Sequence, residues 1–125
     1  MDASNTRVIP AFGPAPSAEG TPPGGLKFDG GKPRFSLLRF GVARALEGVA
    51  RVLTFGARKY KAHSWREVDE GLDRYWSAME RHLNEIAKHG HDSRDLESGE
   101  LHIDHVATNV LFLSELIRAH HNIKD

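Results

Sequence analysis

The chain has no cysteine. That excludes disulfides and thiolate metal sites, so any metal must be held by oxygen and imidazole. It has no net charge, with seventeen basic residues against seventeen acidic ones. A global field that attracts nucleic acid or a membrane surface is absent, and no direct nucleic-acid binding is expected. No apolar run approaches the length of about 18 residues that a membrane span requires. The N-terminus lacks the charged-then-apolar order of a secretory signal. A cytoplasmic location is the expectation.

Proline is scarce after the first 25 residues, because five of the six prolines lie within Met1–Gly25 together with four glycines. The stretch "PAFGPAPSAEGTPPGG" cannot form a helix interior and has little to bury. Residues 1–25 therefore read as a flexible tail and residues 26–125 as one domain without internal repeats.

Within the domain the apolar pattern is helical. Asp29-Gly30-Gly31 reads as a tight turn that needs positive φ, flanked by a short hairpin or irregular arms. Val42, Leu46, Val49, Val52 and Leu53 recur at three- and four-residue steps, which predicts a helix from Gly41 to about Lys61, with a break near Gly56. A second helix is expected from about Leu72 to Lys88, stopped by Gly90. Its stripe is Leu72, Tyr75 or Trp76, Met79, Leu83 and Ile86. A third is expected over about Gly99–His120, capped by Ser98. Its apolar residues face several directions, which predicts burial on more than one side. Three such helices make a thin core. The expectation is an all-α bundle completed by homo-oligomerisation, a dimer or tetramer with Leu113 and Ile117 at the contact.

Titratable groups concentrate between Met79 and Asn109, which hold five of the eight histidines and seven carboxylates. His82 and Glu85 share one side of the second helix, with Glu80 on the opposite flank. His102, His105 and Asn109 form one stripe of the third helix, and Glu100, Asp104 and Thr108 another. Antiparallel packing would bring these groups together. Carboxylates so crowded repel unless a cation sits among them, and Mg²⁺ or Mn²⁺ suits oxygen and imidazole donors. The plain alternative is a solvated helix face, with Glu85 paired to Lys88 and Glu80 beside Arg81. Upstream, "GARKYKAHSW" sets Arg58, Lys59 and Lys61 beside Tyr60 and Trp65, a combination able to grip phosphates and stack a base. Lys32 and Arg34 follow the Gly-Gly turn, but the spacing is not that of a P-loop.

Three segments in order, "KFDGGKPRFSLLRFG", "VLTFGARKYKAHSW" and "RHLNEIAKHGHDSRDLESGELHIDHVATNVLFL", resemble the phage and bacterial dATP/dGTP diphosphohydrolase family, related to the MazG-like all-α NTP pyrophosphohydrolases. The resemblance spans about Leu26 to Ile117. It implies a helical, oligomeric, Mg²⁺-dependent enzyme that splits a deoxynucleoside triphosphate into monophosphate and pyrophosphate. The phage members known as MazZ, which this chain resembles most, act on dGTP and supply dGMP to 2-aminoadenine DNA synthesis. MazG-type sites use Glu-x-x-Glu on one helix and Glu-x-x-Asp on the next. This sequence offers His82-x-x-Glu85 with Glu80 nearby, then Glu97-x-x-Glu100, Asp104 and a His102-x-x-His105 pair running into Asn109. The resemblance thus implies catalysis by Glu85, Glu80 and His82, and metal binding by Glu85, Asp104, Glu100, Glu97 and His105. It implies substrate contacts from Lys32, Arg34, Lys59, Trp65, His102 and Asn109. Two other readings stay open: an HD-type phosphohydrolase using His82, His91-Asp92 and Asp104, and a non-catalytic metal-binding helical oligomer.

Overall fold

A computed structural model describes residues 25–125 of the chain. Residues 1–24, nearly all of the expected tail, lie outside the described residues. The fold is all-α: α1 (Phe35–Gly41), α2 (Ala43–Lys59), a short 3-10 helix (Ser64–Glu67), α3 (Gly71–His89) and α4 (His102–His121). Among the described residues no strand forms, and a lone antiparallel bridge pairs Arg94 with Leu101.

The chain divides into two compact units, one ending at Ala43 and the other spanning Arg44–Asp125. In the first, the Asp29-Gly30-Gly31 turn forms as expected. The Lys32 N–H closes it on the Asp29 carbonyl at 3.1 Å, and Gly31 takes φ 81°. The arm after the turn is neither hairpin nor irregular: "FSLLRFG" winds into α1.

In the second unit, α2 starts two residues later than predicted and runs through Gly56 without a break, ending at Lys59. Glycine weakens a helix only by about 1 kcal/mol, which this 17-residue helix tolerates. Its three-residue spacing buries Val49 and Val52. α3 keeps its predicted span within a residue at each end, and Gly90 stops it at φ 108° with its N–H on the Ile86 carbonyl, 2.8 Å. α4 begins at His102, three residues after the expected Gly99, and Ser98 is not its cap. Leu101 holds that position, and the Ser98 side chain turns to His105 instead.

α3 and α4 form the main helix pair. Their contacts run in opposite order along the two helices: Gly71 against Leu116, Tyr75 against Phe112, His82 against His102. The pair is therefore antiparallel, as the clustering of titratable groups required. The hydrophobic core is small, made of Val49, Val52, Met79 and Leu113. Leu113 is only 4% exposed within the single chain, so it is a core residue rather than a contact held open for another copy. Of the two alternatives for the α3 stripe, Tyr75 is half-buried and Trp76 is 48% exposed.

Candidate functional site

Burial near the start of α4 is polar. His102, Asp104, Thr108 and Asn109 are all buried there, matching in number the four apolar residues of the core. Buried polar groups cost free energy unless partnered, and partners are present. Thr108 Oγ1 donates to the Asp104 carbonyl at 2.8 Å, and Asn109 Nδ2 to that of His105 at 2.9 Å.

The imidazoles meet as follows. His82 Nδ1 on α3 lies 2.8 Å from His102 Nδ1 on α4. The His82 ring stacks on that of His105, with centroids 4.4 Å apart and planes 12° apart. Burial, then the neighbouring His105 and His102, push His82 down to about 4. Burial also lowers His105 below the usual histidine value. Both rings are therefore neutral at pH 7, the form that ligates metal or accepts a proton.

The loop between α3 and α4 supplies the carboxylate. The backbone ties it back on itself: His102 N–H donates to the Ser93 carbonyl (2.9 Å), Asp95 N–H to that of Glu100 (2.8 Å), and Gly99 N–H to that of Asp95 (2.8 Å). These bonds fix Asp95 beside the helix start. Ser98 N–H donates to Asp95 Oδ2 at 2.8 Å. Burial pushes the Asp95 carboxyl up, but the Ser98 hydrogen bonds and the nearby His105 and His82 outweigh it and hold it below the usual range. The Ser98 hydroxyl lies 2.7 Å from His105 Nε2 and accepts from the Glu100 N–H at 3.2 Å. Asp95 Oδ2 is itself 3.8 Å from His105 Nε2.

Donor atoms of His82, Asp95 and His102 lie within 4.8 Å of one another. Two imidazole nitrogens and one carboxylate oxygen are enough to hold one divalent ion, with remaining positions open to water or ligand. The residues present thus fit a metal. Asp95 was absent from the sequence-derived ligand set. Its signal was the Asp-x-x-Ser-Gly run, a side chain that turns its own loop back on itself.

The other predicted residues divide between neighbours of this group and positions away from it. Arg51 Nε donates to Glu100 Oε1 at 2.9 Å and reaches Glu47 at 3.7 Å. The Glu100 hydrogen bond, with Glu47 and Asp104 nearby, raises the Arg51 guanidinium. Asp104 lies directly on the bare backbone of Gly48 in α2. Lys59 Nζ binds Glu97 at 2.6 Å, a bond that raises the ammonium. Glu85 is held at 2.9 Å by Lys88, which lowers its carboxyl, and lies within electrostatic reach of His102. Glu80 is exposed on another flank. Lys32 and Arg34 belong to the first unit and are exposed. His91 and Asp92, which an HD-type site needs, are exposed just past α3 and outside the metal-ligand group.

A cleft of about 1350 Å³ lies beside this group, reaching it at His105 and not at His82, Asp95 or His102. His105 lines it, with Lys59, Tyr60, Lys61, Trp65 and Arg81 among the other wall residues. Trp65 stacks on Phe112 at 4.3 Å, and its carbonyl accepts from the Tyr75 hydroxyl at 2.8 Å. Tyr60 is 71% exposed and stands under the Lys59 ammonium, 5.2 Å from it.

The family described as dATP/dGTP diphosphohydrolase, N-terminal, matches residues 22–125. The chain belongs to that family. It is therefore an enzyme of the diphosphohydrolase kind, with a deoxynucleoside triphosphate as the implied substrate. Neither a curated protein nor a solved structure matches the chain.

Proposed function

We propose that the protein hydrolyses a purine deoxynucleoside triphosphate, dGTP by preference and dATP as an alternative, to the monophosphate and pyrophosphate. The reaction uses Mg²⁺, with Mn²⁺ as the alternative, and His82, Asp95 and His102 would hold a divalent ion beside the substrate. In a phage-infected cell the product would be dGMP for 2-aminoadenine DNA synthesis, made in the host cytoplasm. The observation that carries the reading is the cleft that joins cations and aromatic rings at one part of its wall to His105 at another.

The residues divide the work. Lys59, Lys61 and Arg81 offer positive charge to the triphosphate. Lys59 is already paired with Glu97, so phosphate exchanges one anion for another rather than meeting a bare charge. Tyr60 and Trp65 offer ring surface to the base. Discrimination between purines needs hydrogen bonds to the base edge, and Asn109 is the buried amide closest in sequence to the group. A bound metal neutralises phosphate charge and lowers the pKa of water.

His105 acts on the attacking water. The ring takes the proton, and the imidazolium so formed is stabilised by Asp95, whose Oδ2 lies 3.8 Å from Nε2. The water oxygen bonds to phosphorus, the α–β anhydride bond breaks, and pyrophosphate leaves. Glu85 lies within electrostatic reach of His102, and Glu100 and Asp104 of His105, while Glu97 pairs with Lys59.

The test is a panel of deoxynucleoside triphosphates with product identification. The reading expects purine monophosphate and pyrophosphate in equal amounts. Tripolyphosphate, or successive single phosphates, would favour the HD-type chemistry instead.

A further inference from the structure

Mg²⁺ favours a near-octahedral oxygen shell, keeps several waters and is usually held by one or two carboxylates with substrate phosphates. The group at the start of α4 has another composition. Two of its three donors are imidazole nitrogens, and both present Nδ1 toward the same point, 2.8 Å apart. Two imidazole nitrogens meet in this way for one of two reasons: one ring donates a proton to the other, or both lone pairs close on a cation. The surroundings favour the cation. The third donor, Asp95, is fixed by a loop tied to α4 through backbone bonds. Ser98 holds both Asp95 and His105, and His105 stacks flat on the ligand ring of His82. Such partners orient donors in advance, as the outer layer of a metal site does.

We infer that His82, Asp95 and His102 form a resident site for a divalent transition ion, selective against Mg²⁺ and filled without nucleotide. This deepens the reading above and rests on its placing of the metal, but not on the reaction. Imidazole donors suit Mn²⁺, Co²⁺ or Zn²⁺ better than Mg²⁺. Mg²⁺ then remains the ion that arrives with the triphosphate.

The experiment uses the full chain, stripped with chelator and titrated with Co²⁺ in the absence of nucleotide. Calorimetry gives affinity and stoichiometry, and the visible d–d absorption of Co²⁺ reports nitrogen coordination. The expected result is one Co²⁺ per chain, Mg²⁺ binding weaker by about tenfold or more, and imidazole-bound Co²⁺ bands. Asp95→Asn and His82→Gln should each weaken Co²⁺ by about tenfold or more, while His91→Gln binds as the parent does. Circular dichroism identifies any variant that has lost its helices, and the conservative Asp95→Asn then decides. Mg²⁺ binding as tightly as Co²⁺, or Co²⁺ binding unchanged in folded Asp95→Asn, overturns the inference. Hydrolysis is scored separately. Co²⁺ binding without dNTP cleavage leaves the metal site standing and removes the reaction, and cleavage without Co²⁺ binding does the reverse.

Discussion

At the scale of single residues, three histidines define the site and one carboxylate completes it. His82, His102 and His105 could be read from spacing. Positions three apart on α4 share a side, and an antiparallel partner brings His82 to them. Asp95 could not be placed the same way. It lies in a loop, where no periodicity assigns a face, and backbone hydrogen bonds alone set its position. Glu85 shows the opposite lesson. Its helical register was read correctly, but Lys88, three residues on, already holds it. Burial of His82 makes stability depend on pH. Its folded value is about 4, against an ordinary unfolded value near 6.5. As pH falls below that unfolded value, the unfolded chain takes up a proton that the folded protein refuses, so stability falls and continues falling toward the folded value. The metal-free protein should therefore lose denaturant resistance between about pH 6.5 and 5, before most carboxylates titrate. The groups facing the ring there are His102 and His105 on α4, Asp95 in the loop and Arg81 beside it. His82→Gln should flatten that slope. An equal slope in the variant would contradict the assignment.

At the scale of elements, α2 is fitted to α4 by an absence. A β-carbon on Gly48 would stand 2.2 Å from Asp104 Oδ2 and 2.6 Å from its Cγ. Helix propensity alone favours Gly48→Ala by roughly 1 kcal/mol. Overpacking against a short, buried carboxylate opposes it by about 1–3 kcal/mol, and we expect the second effect to win. Chemical denaturation should show Gly48→Ala less stable than the parent, and dNTP turnover should fall as Asp104 is pushed aside. In an Asp104→Ala background the same change should become neutral or stabilising, a coupling of about 0.5–3 kcal/mol. Additive effects would mean that the two residues do not meet. The sequence carried no sign of this pairing. Gly48 looks like any weak point in a helix until the neighbouring element is known, just as Gly56 looked like a break and is not one. Where local chemistry decides, as at Gly31 and Gly90, the reading and the structure agree. Where a helix boundary depends on a loop folding back, as at Ser98, they differ.

At the scale of the whole molecule, the small core and the polar burial at α4 leave apolar surface to be covered. Ile103 and Val110, two turns apart on α4, are each 46% exposed. Trp76 and Leu83, spaced likewise on α3, are 48% and 38% exposed. We propose that copies of the chain associate through such faces as a dimer or tetramer. Sedimentation should then show an oligomer at micromolar concentration that Val110→Asp dissociates, whereas Leu113→Ala acts on folding stability. A monomeric parent protein would end that proposal without touching the site. We propose that the chemistry belongs to the group assembled where α4 begins, with Asp95 as its carboxylate. Two neighbouring aspartates separate this from the HD-type arrangement: Asp95 in the group, and Asp92 exposed outside it. The decisive measurement is kcat/KM for dGTP in Asp95→Asn and Asp92→Asn, with both variants shown to be folded. Asp95→Asn should lose about 10–100-fold or more, and Asp92→Asn should turn over near the parent rate. The reverse pattern, or full activity in Asp95→Asn, would contradict the proposal.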